Sequence, residues 1–223
     1  MTDARVFLVD VDNTLLDNDR FQDDLKAHVA ATSGAAARDR YWALQDHLFK
    51  TLGYRDYLGA CQSYRLERPD DREALRLAAF ILDYPYETLL YPGALDVLDR
   101  MRGLGRTALL TDGDAVFQPN KLRRSGLADA VNGDLMIAVH KDEELDAILA
   151  QFPAEHHVLV DDKVRILTAF KTAWGSRVTT VFPRQGQFAR DEKVLAANPP
   201  ADLSIDRIVD LLEAALLAET PST

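Results

Sequence analysis

Residues 6–19 read VFLVDVDNTLLDND, an unbroken apolar run from Val6 to Val9 that ends abruptly in Asp10 and Asp12. Consecutive apolar residues of this kind predict a strand buried on both faces, as at the centre of a parallel sheet. Two carboxylates one residue apart repel each other and lose hydration when enclosed. The segment therefore needs a positive charge that its own sequence does not contain.

The next run of the same kind is Thr107–Leu110 in RTALLTD, almost a hundred residues on and far more than one crossover helix requires. The intervening stretch, residues 17–91, reads as a helical insert. In PDDREALRLAAFIL, Asp70 is placed to N-cap a helix with Glu73 three residues later, and Leu75, Ala78, Ala79 and Leu82 share a face. A second helix runs through ARDRYWALQDHLFKTLG and stops at Gly53, with Trp42 and Phe49 expected in the core.

The chain returns at YPGALDVLDRMRGLG, where Pro92 and Gly93 break one element and Ala94, Val97, Leu98 and Met101 begin an amphipathic helix. Strand and helix then alternate: Thr107–Leu110, a helix in AVFQPNKLRRSG, Leu135–Val139, a helix in DEELDAILAQF, His157–Val160, a helix in KVRILTAFKTAWG, and Val178–Val181. This predicts an α/β fold, a Rossmann-like doubly wound parallel sheet formed by residues 1–16 and 92–223, with a small α-helical cap domain at 17–91. Ligands of such sheets sit beyond the carboxyl ends of the strands. The final AETPST is expected to fray, and Gln185–Gly186 reads as a turn.

The formal net charge of −10 argues against a nucleic-acid partner, whose backbone calls for a basic face, but leaves room for a small anionic substrate in a local pocket. Cys61, the single cysteine, excludes an internal disulfide and reads as an apolar filler. No apolar run approaches a membrane span, and the start lacks a signal-peptide core, so a cytoplasmic protein with no membrane partner is expected. The oligomeric state is not legible.

Three predicted strands end in polar residues, in LVDVDNT, LLTDGD and VLVDDK. The sheet topology would gather Asp10, Asp12, Thr111, Asp161 and Asp162 into one crevice, with Lys121 and Lys141 arriving from intervening segments. The ordered set DVDNT, LLTDGD, the lysine of VHKDEEL and VLVDDK resembles the four motifs of the haloacid dehalogenase superfamily. The insert stands where one cap class of that family, the C1 type, carries its lid.

The resemblance implies the phosphatase branch, a Mg²⁺-dependent phosphomonoester hydrolase acting on a small phosphorylated metabolite. Asp10 would be the nucleophile and Asp12 the general acid and base. Thr111, Asp112, Gly113 and Lys141 would bind phosphate. Asp10, the Asp12 backbone carbonyl and Asp162 would hold the metal, with Asp161 in an outer position. Asn13 replaces a frequent glycine, Asp112 a frequent asparagine, and Ile166 stands where many relatives have a second acid. Lys121 competes with Lys141 for the cationic role, and Lys141 is favoured. In the cap, His47, Lys50, Tyr54 and Arg55 are the candidates for substrate contact. A phosphomutase or phosphotransferase on the same fold, or a catalytically weak binding or regulatory member, is the alternative. Dehalogenation is disfavoured because that chemistry lacks the second acid of the first motif.

Overall fold

The computed structural model describes residues 3–70 and 72–217, so the terminal AETPST lies outside the described residues. Strand β1 (Asp3–Val9) is followed by α1 (Asn18–Ser33), α2 (Ala35–Leu52), α3 (Tyr57–Glu67) and α4 (Glu73–Asp83). After α5 (Ala94–Arg102) come β2 (Arg106–Asp112), α6 (Phe117–Arg124), α7 (Leu127–Ala130), β3 (Leu135–Ala138), α8 (Leu145–Gln151), β4 (Ala154–Val160), α9 (Val164–Trp174), β5 (Val178–Pro183), α10 (Glu192–Ala197) and β6 (Leu203–Ile205). The sheet is parallel throughout, in the order β3-β2-β1-β4-β5-β6.

β1 is central because both its faces are apolar. Phe7 and Val9 join one hydrophobic cluster, Val6 and Leu8 the cluster on the opposite face. Successive strands are laid down outward from β1 in one direction (β2, β3) and then in the other (β4, β5, β6), and this switch between β1 and β4 opens the crevice at their carboxyl ends. The register pairs Val9 with Val160 and with Leu109, so Asp10 and Asp161 emerge level with each other.

The insert leaves and returns side by side. Asp17 N–H donates to the Leu89 carbonyl at 2.8 Å, and Tyr91 N–H to the Leu15 carbonyl at 2.9 Å. Gly93, at φ 79°, then opens α5, whose Ala94, Val97, Leu98 and Met101 are all buried as expected. The helices of the insert pack successively, and their core merges with that of the sheet around Phe21, Tyr57, Tyr86 and Phe117.

Several local expectations change. Helix α4 starts at Glu73 with Arg72 at its N-cap, so Asp70 does not cap it. Its buried stripe is Ala74, Leu77 and Ile81, while Leu75 is 57% exposed. A segment apolar around most of its circumference offers two stripes, and packing against α3, α1 and α6 selects one. Phe49 is 39% exposed rather than core, whereas Cys61 is buried as expected. Burial pushes the Cys61 thiol up to about 12. Gln185 is more than a turn residue: its amide donates to the Thr14 carbonyl at 3.0 Å and accepts from Ile208 N–H at 2.5 Å, tying the first motif to the C-terminal segment.

Candidate active site

The crevice is built on a tight loop after β1. Asn13 adopts φ 63°, a left-handed conformation that asparagine tolerates, and its side-chain oxygen accepts the backbone N–H groups of Asn18 and Asp19 at the start of α1. Gly186, at φ 70°, lies against it, and a Cβ there would fall 2.4 Å from the Asn13 Cβ. Thr14 Oγ1 accepts the Asp162 N–H at 3.1 Å, locking the first motif to the end of β4.

Asp10, Asp161 and Asp162 converge, with one oxygen from each lying within 4.8 Å of the others. All three are essentially buried. Lys141, 0% exposed, reaches Asp10 Oδ1 at 2.5 Å and Asp161 Oδ2 at 2.6 Å. The missing positive charge of the first strand is thus partly supplied, and a lysine that could have stood solvated at a helix start is fully enclosed. Asp10 Oδ2 and both oxygens of Asp162 remain buried without a hydrogen-bond partner among the described residues.

This enclosure sets the electrostatics. Burial pushes Asp161 up to about 6 even against the pull of Lys141, and Asp10 adds to the rise. Asp162 is driven well above the carboxylate range by burial, opposed by Lys163 and reinforced by Asp10 and Asp161. For Lys141 burial acts downward, but Asp10, Asp161 and Asp112 outweigh it and hold its pKa above the usual lysine value. A net negative pocket with orphaned oxygens is what a hard divalent cation fits.

Asp161 therefore does not stand outside the cluster. Its Oδ1 accepts Lys163 N–H at 2.8 Å while its Oδ2 meets Lys141, so it faces inward with Asp162. Asp12 stands apart from the triad, its carboxylate gripped by Lys121 Nζ at 2.5 and 2.7 Å, with Gln118 Nε2 at 3.4 Å. Lys121 is also 0% exposed. The two lysines thus serve different acids instead of competing for one place.

The second motif is held by contacts of its own. Thr111 is buried at the end of β2 and accepts from Gln118 Nε2 at 2.8 Å. The Asp112 carboxylate accepts Lys141 N–H at 2.9 Å and so fixes the lysine loop. Gly113 N–H donates to the Ala138 carbonyl at 3.1 Å, and both Asp112 and Gly113 line the crevice. Ile166 sits at 0% exposure in the core under the sheet, where a second acid would have no partner.

Of the four cap candidates, Tyr54 and Arg55 line the crevice, whereas His47 and Lys50 are exposed on α2 away from it. Asn18, Tyr57, Phe117, Lys163 and Phe188 line it too, none of them singled out from sequence. Two of them carried a signal, Lys163 by its position directly after Asp161-Asp162 and Phe188 within the suggestive stretch VFPRQGQFA. A larger groove lies at the other end of β2, but both its cations are engaged, Arg106 bidentate to Asp134 at 2.5 and 2.8 Å and Arg102 on the Ala130 carbonyl at 3.2 Å.

Gly53 joins the insert to the loop that carries Lys141. It caps α2 at φ 79°, and a Cβ would lie 2.3 Å from His140 Cε1. Gly53→Ala is expected to lower stability by about 1–2 kcal/mol from left-handed strain alone. Further loss should come from the clash. Urea unfolding of Gly53→Ala with and without His140→Ala checks this, since the second change should restore only the clash component.

A six-stranded parallel sheet flanked by helices, with carboxylates at its central strand ends, places the chain in the Rossmann-like α/β class. The chain belongs to the haloacid dehalogenase-like hydrolases, whose family profile matches residues 4–173. A protein of Burkholderia xenovorans assigned to the same class is 50% identical, and its crystal structure superposes with a TM-score of 0.91 over 96% of this chain and 97% of that one. YfnB of Bacillus subtilis, a HAD-hydrolase bound to magnesium, is 18% identical with a TM-score of 0.59, covering 94% and 97% of the two chains. An L-2-haloacid dehalogenase from Xanthobacter autotrophicus is 16% identical with a TM-score of 0.61 over 94% and 97%. At those last two identities the likeness shows the fold alone. No curated protein matches the chain. No helix among the described residues is long and apolar enough to cross a membrane.

Proposed function

We propose that this hydrolase is a Mg²⁺-dependent phosphomonoesterase acting on a small phosphorylated metabolite, with residues 17–91 as its lid. The observation that carries the reading is the buried triad Asp10, Asp161 and Asp162, with both Asp162 oxygens lacking partners among the described residues. Displacement of halide by a carboxylate uses no cation, whereas phosphoryl transfer does, and this cluster is costly without one. Asp12 supplies the second acid that a phosphate ester's leaving oxygen needs.

The triad would hold magnesium, with the Asp12 backbone carbonyl as a further ligand. When bound, the ion supplies charge stabilisation for the transferring phosphoryl group. Lys141 fixes Asp10 by one oxygen and leaves Oδ2 available as the nucleophile. Oδ2 would attack phosphorus as the P–O ester bond breaks, and Asp12, entering the step with the proton it takes from water in the second half of the cycle, would give it to the leaving oxygen. Asp12 then takes a proton from water, which attacks the aspartyl-phosphate, releases phosphate and restores Asp10. Lys141 balances charge on the phosphoryl oxygens throughout.

The test is hydrolysis of p-nitrophenyl phosphate with Mg²⁺ and with EDTA, beside chloride release from 2-chloropropionate. Phosphate release abolished by EDTA supports the reading. Chloride release without it, or hydrolysis that survives complete chelation, replaces it. A transfer enzyme would instead pass the phosphoryl group to an added alcohol faster than to water.

Metal binding should also depend on pH. Asp161 must be ionised to bind the ion, and its folded value of about 6 lies above its unfolded one. The metal-free fold is therefore favoured by Asp161 at low pH and loses that contribution as pH rises through about 6. Saturation by Mg²⁺ moves the other way, with proton release. The increment in Tm from a fixed Mg²⁺ concentration is expected to be larger at about pH 7.5 than at about pH 5.5. His156 and His157, whose values burial lowers, destabilise the fold as pH falls, but equally with and without metal. An increment independent of pH would place the ion elsewhere.

A further inference from the structure

We propose, building on the phosphomonoesterase reading, that the leaving group accepted here is small and carries its own carboxylate, held between Arg55 and Lys163. The crevice offers only about 160 Å³, well below the roughly 300–1,000 Å³ of sites for larger ligands. Phe117 and Tyr57 wall its interior, and Phe49 and Phe188 stand partly exposed on its lining. A phosphoryl group and a short carbon chain fill such a space.

Two cations face that space from the two parts of the chain. The Lys163 ammonium lies 5.3 Å from the centre of the Phe188 ring and makes no ion pair among the described residues. It is not the counter-charge of the acid triad at contact distance, because Lys141 already fills that role. From the insert, the Arg55 guanidinium lies 5.3 Å from the centre of the Phe49 ring. Its one ionic partner is Asp46 at 3.2 Å, whose side chain is 54% exposed, and a pair so open to solvent is readily exchanged for a ligand.

One further group bears on the substrate's polar end. The Tyr57 hydroxyl is buried on the crevice lining with the Asn18 side chain beside it. Buried polar atoms of this kind are normally satisfied, and a carboxylate would accept from the Tyr57 hydroxyl. The acids that also line the crevice are already engaged, Asp12 by Lys121 and Asp112 by the Lys141 amide. Asp114 accepts from Val116 and Phe117 through Oδ1, and its buried Oδ2 and Asn18 Oδ1 are acceptors that would suit an amine instead.

The experiment compares phospholactate with isopropyl phosphate, in which a methyl replaces the carboxylate, and phosphoethanolamine with ethyl phosphate. All are run with Mg²⁺ on the purified protein. Phospholactate is expected to exceed isopropyl phosphate by at least about tenfold in kcat/KM, mostly through KM, the size of one charge-assisted contact. Arg55→Met and Lys163→Met should each bring that ratio towards one, whatever they do to absolute rates. A wild-type ratio near one, a ratio unmoved by both variants, or a preference for the amine would overturn the assignment. Turnover of p-nitrophenyl phosphate in the same preparation separates the two levels. Its absence removes the phosphomonoesterase reading and this inference with it, while turnover with a flat carboxylate ratio removes the inference alone.

Discussion

Asp10→Asn protein mixed with p-nitrophenyl phosphate and Mg²⁺ is expected to acquire no phosphate adduct and to lose at least about 10⁴-fold in turnover. The substitution removes the one side chain placed to attack, and Asp161 and Asp162 cannot replace it because their positions follow the neighbouring strand. Lys141 keeps Asp161 as a partner, so the fold should survive, and a thermal melt checks that. Asp12→Asn should behave differently. It leaves Asp10 intact and removes proton transfer, an effect of about 10²–10⁴-fold that should be smaller in the first step for a phenolate than for an alkoxide leaving group. Such a protein should accumulate aspartyl-phosphate, visible by rapid acid quench and intact mass. Asp12 is also the partner of the fully enclosed Lys121, and breaking a buried pair from one side costs on the order of 3 kcal/mol. The double variant Asp12→Asn, Lys121→Met removes that penalty. Adduct on Asp10→Asn, or no adduct on either Asp12 variant, would mean the two acids have been given the wrong jobs.

The parts legible in sequence were those where a local pattern has one physical outcome. An apolar run that stops at polar residues predicts a buried strand, and β1 and β2 are such strands, with Asp10 just past the end of one and Thr111 near the end of the other. Pro92-Gly93 has to break a helix, and Gly93 adopts φ 79° there. Illegible parts were those decided by partners distant in sequence. Asp161 and Asp162 are adjacent acids, and only the Lys141 contact at 2.6 Å shows that the first faces inward. Lys121 and Lys141 look like solvated helix residues until their acids, at sequence separations of 109 and 131, are seen to enclose them. The Asp112 carboxylate and the Gly113 amide had partners on the following loop and strand, invisible from LLTDGD itself. Strand β6, three residues at the sheet edge, is too short for periodicity to reveal.

Asp162→Asn is expected to raise the Tm of the metal-free protein at neutral pH while abolishing the response to magnesium. In wild type both Asp162 oxygens are buried without partners, and burial drives its pKa well above the carboxylate range. Whether it ionises there or takes up a proton to avoid doing so, folding without metal carries a cost at neutral pH that the unfolded chain does not bear. An asparagine of nearly the same shape leaves a neutral amide, whose unsatisfied burial costs only about 1–3 kcal/mol. Wild type should recover its loss when the ion arrives. At a hundredfold excess over Kd, mass action contributes about 2.7 kcal/mol, which for a chain of this size corresponds to a rise of roughly 5–10 °C. The variant lacks one of three converging acids, so the same Mg²⁺ should move its Tm by less than about 2 °C, and phosphatase turnover should fall with it. Melts of both proteins in EDTA and in saturating Mg²⁺ give four temperatures. A variant that melts below wild type in EDTA would show that Asp162 is held by a partner in solution, and an unchanged magnesium increment would show that the ion binds without it. The expected crossing, variant above wild type without metal and below it with metal, follows from a carboxylate that destabilises the empty fold and is held in place by the ion it binds.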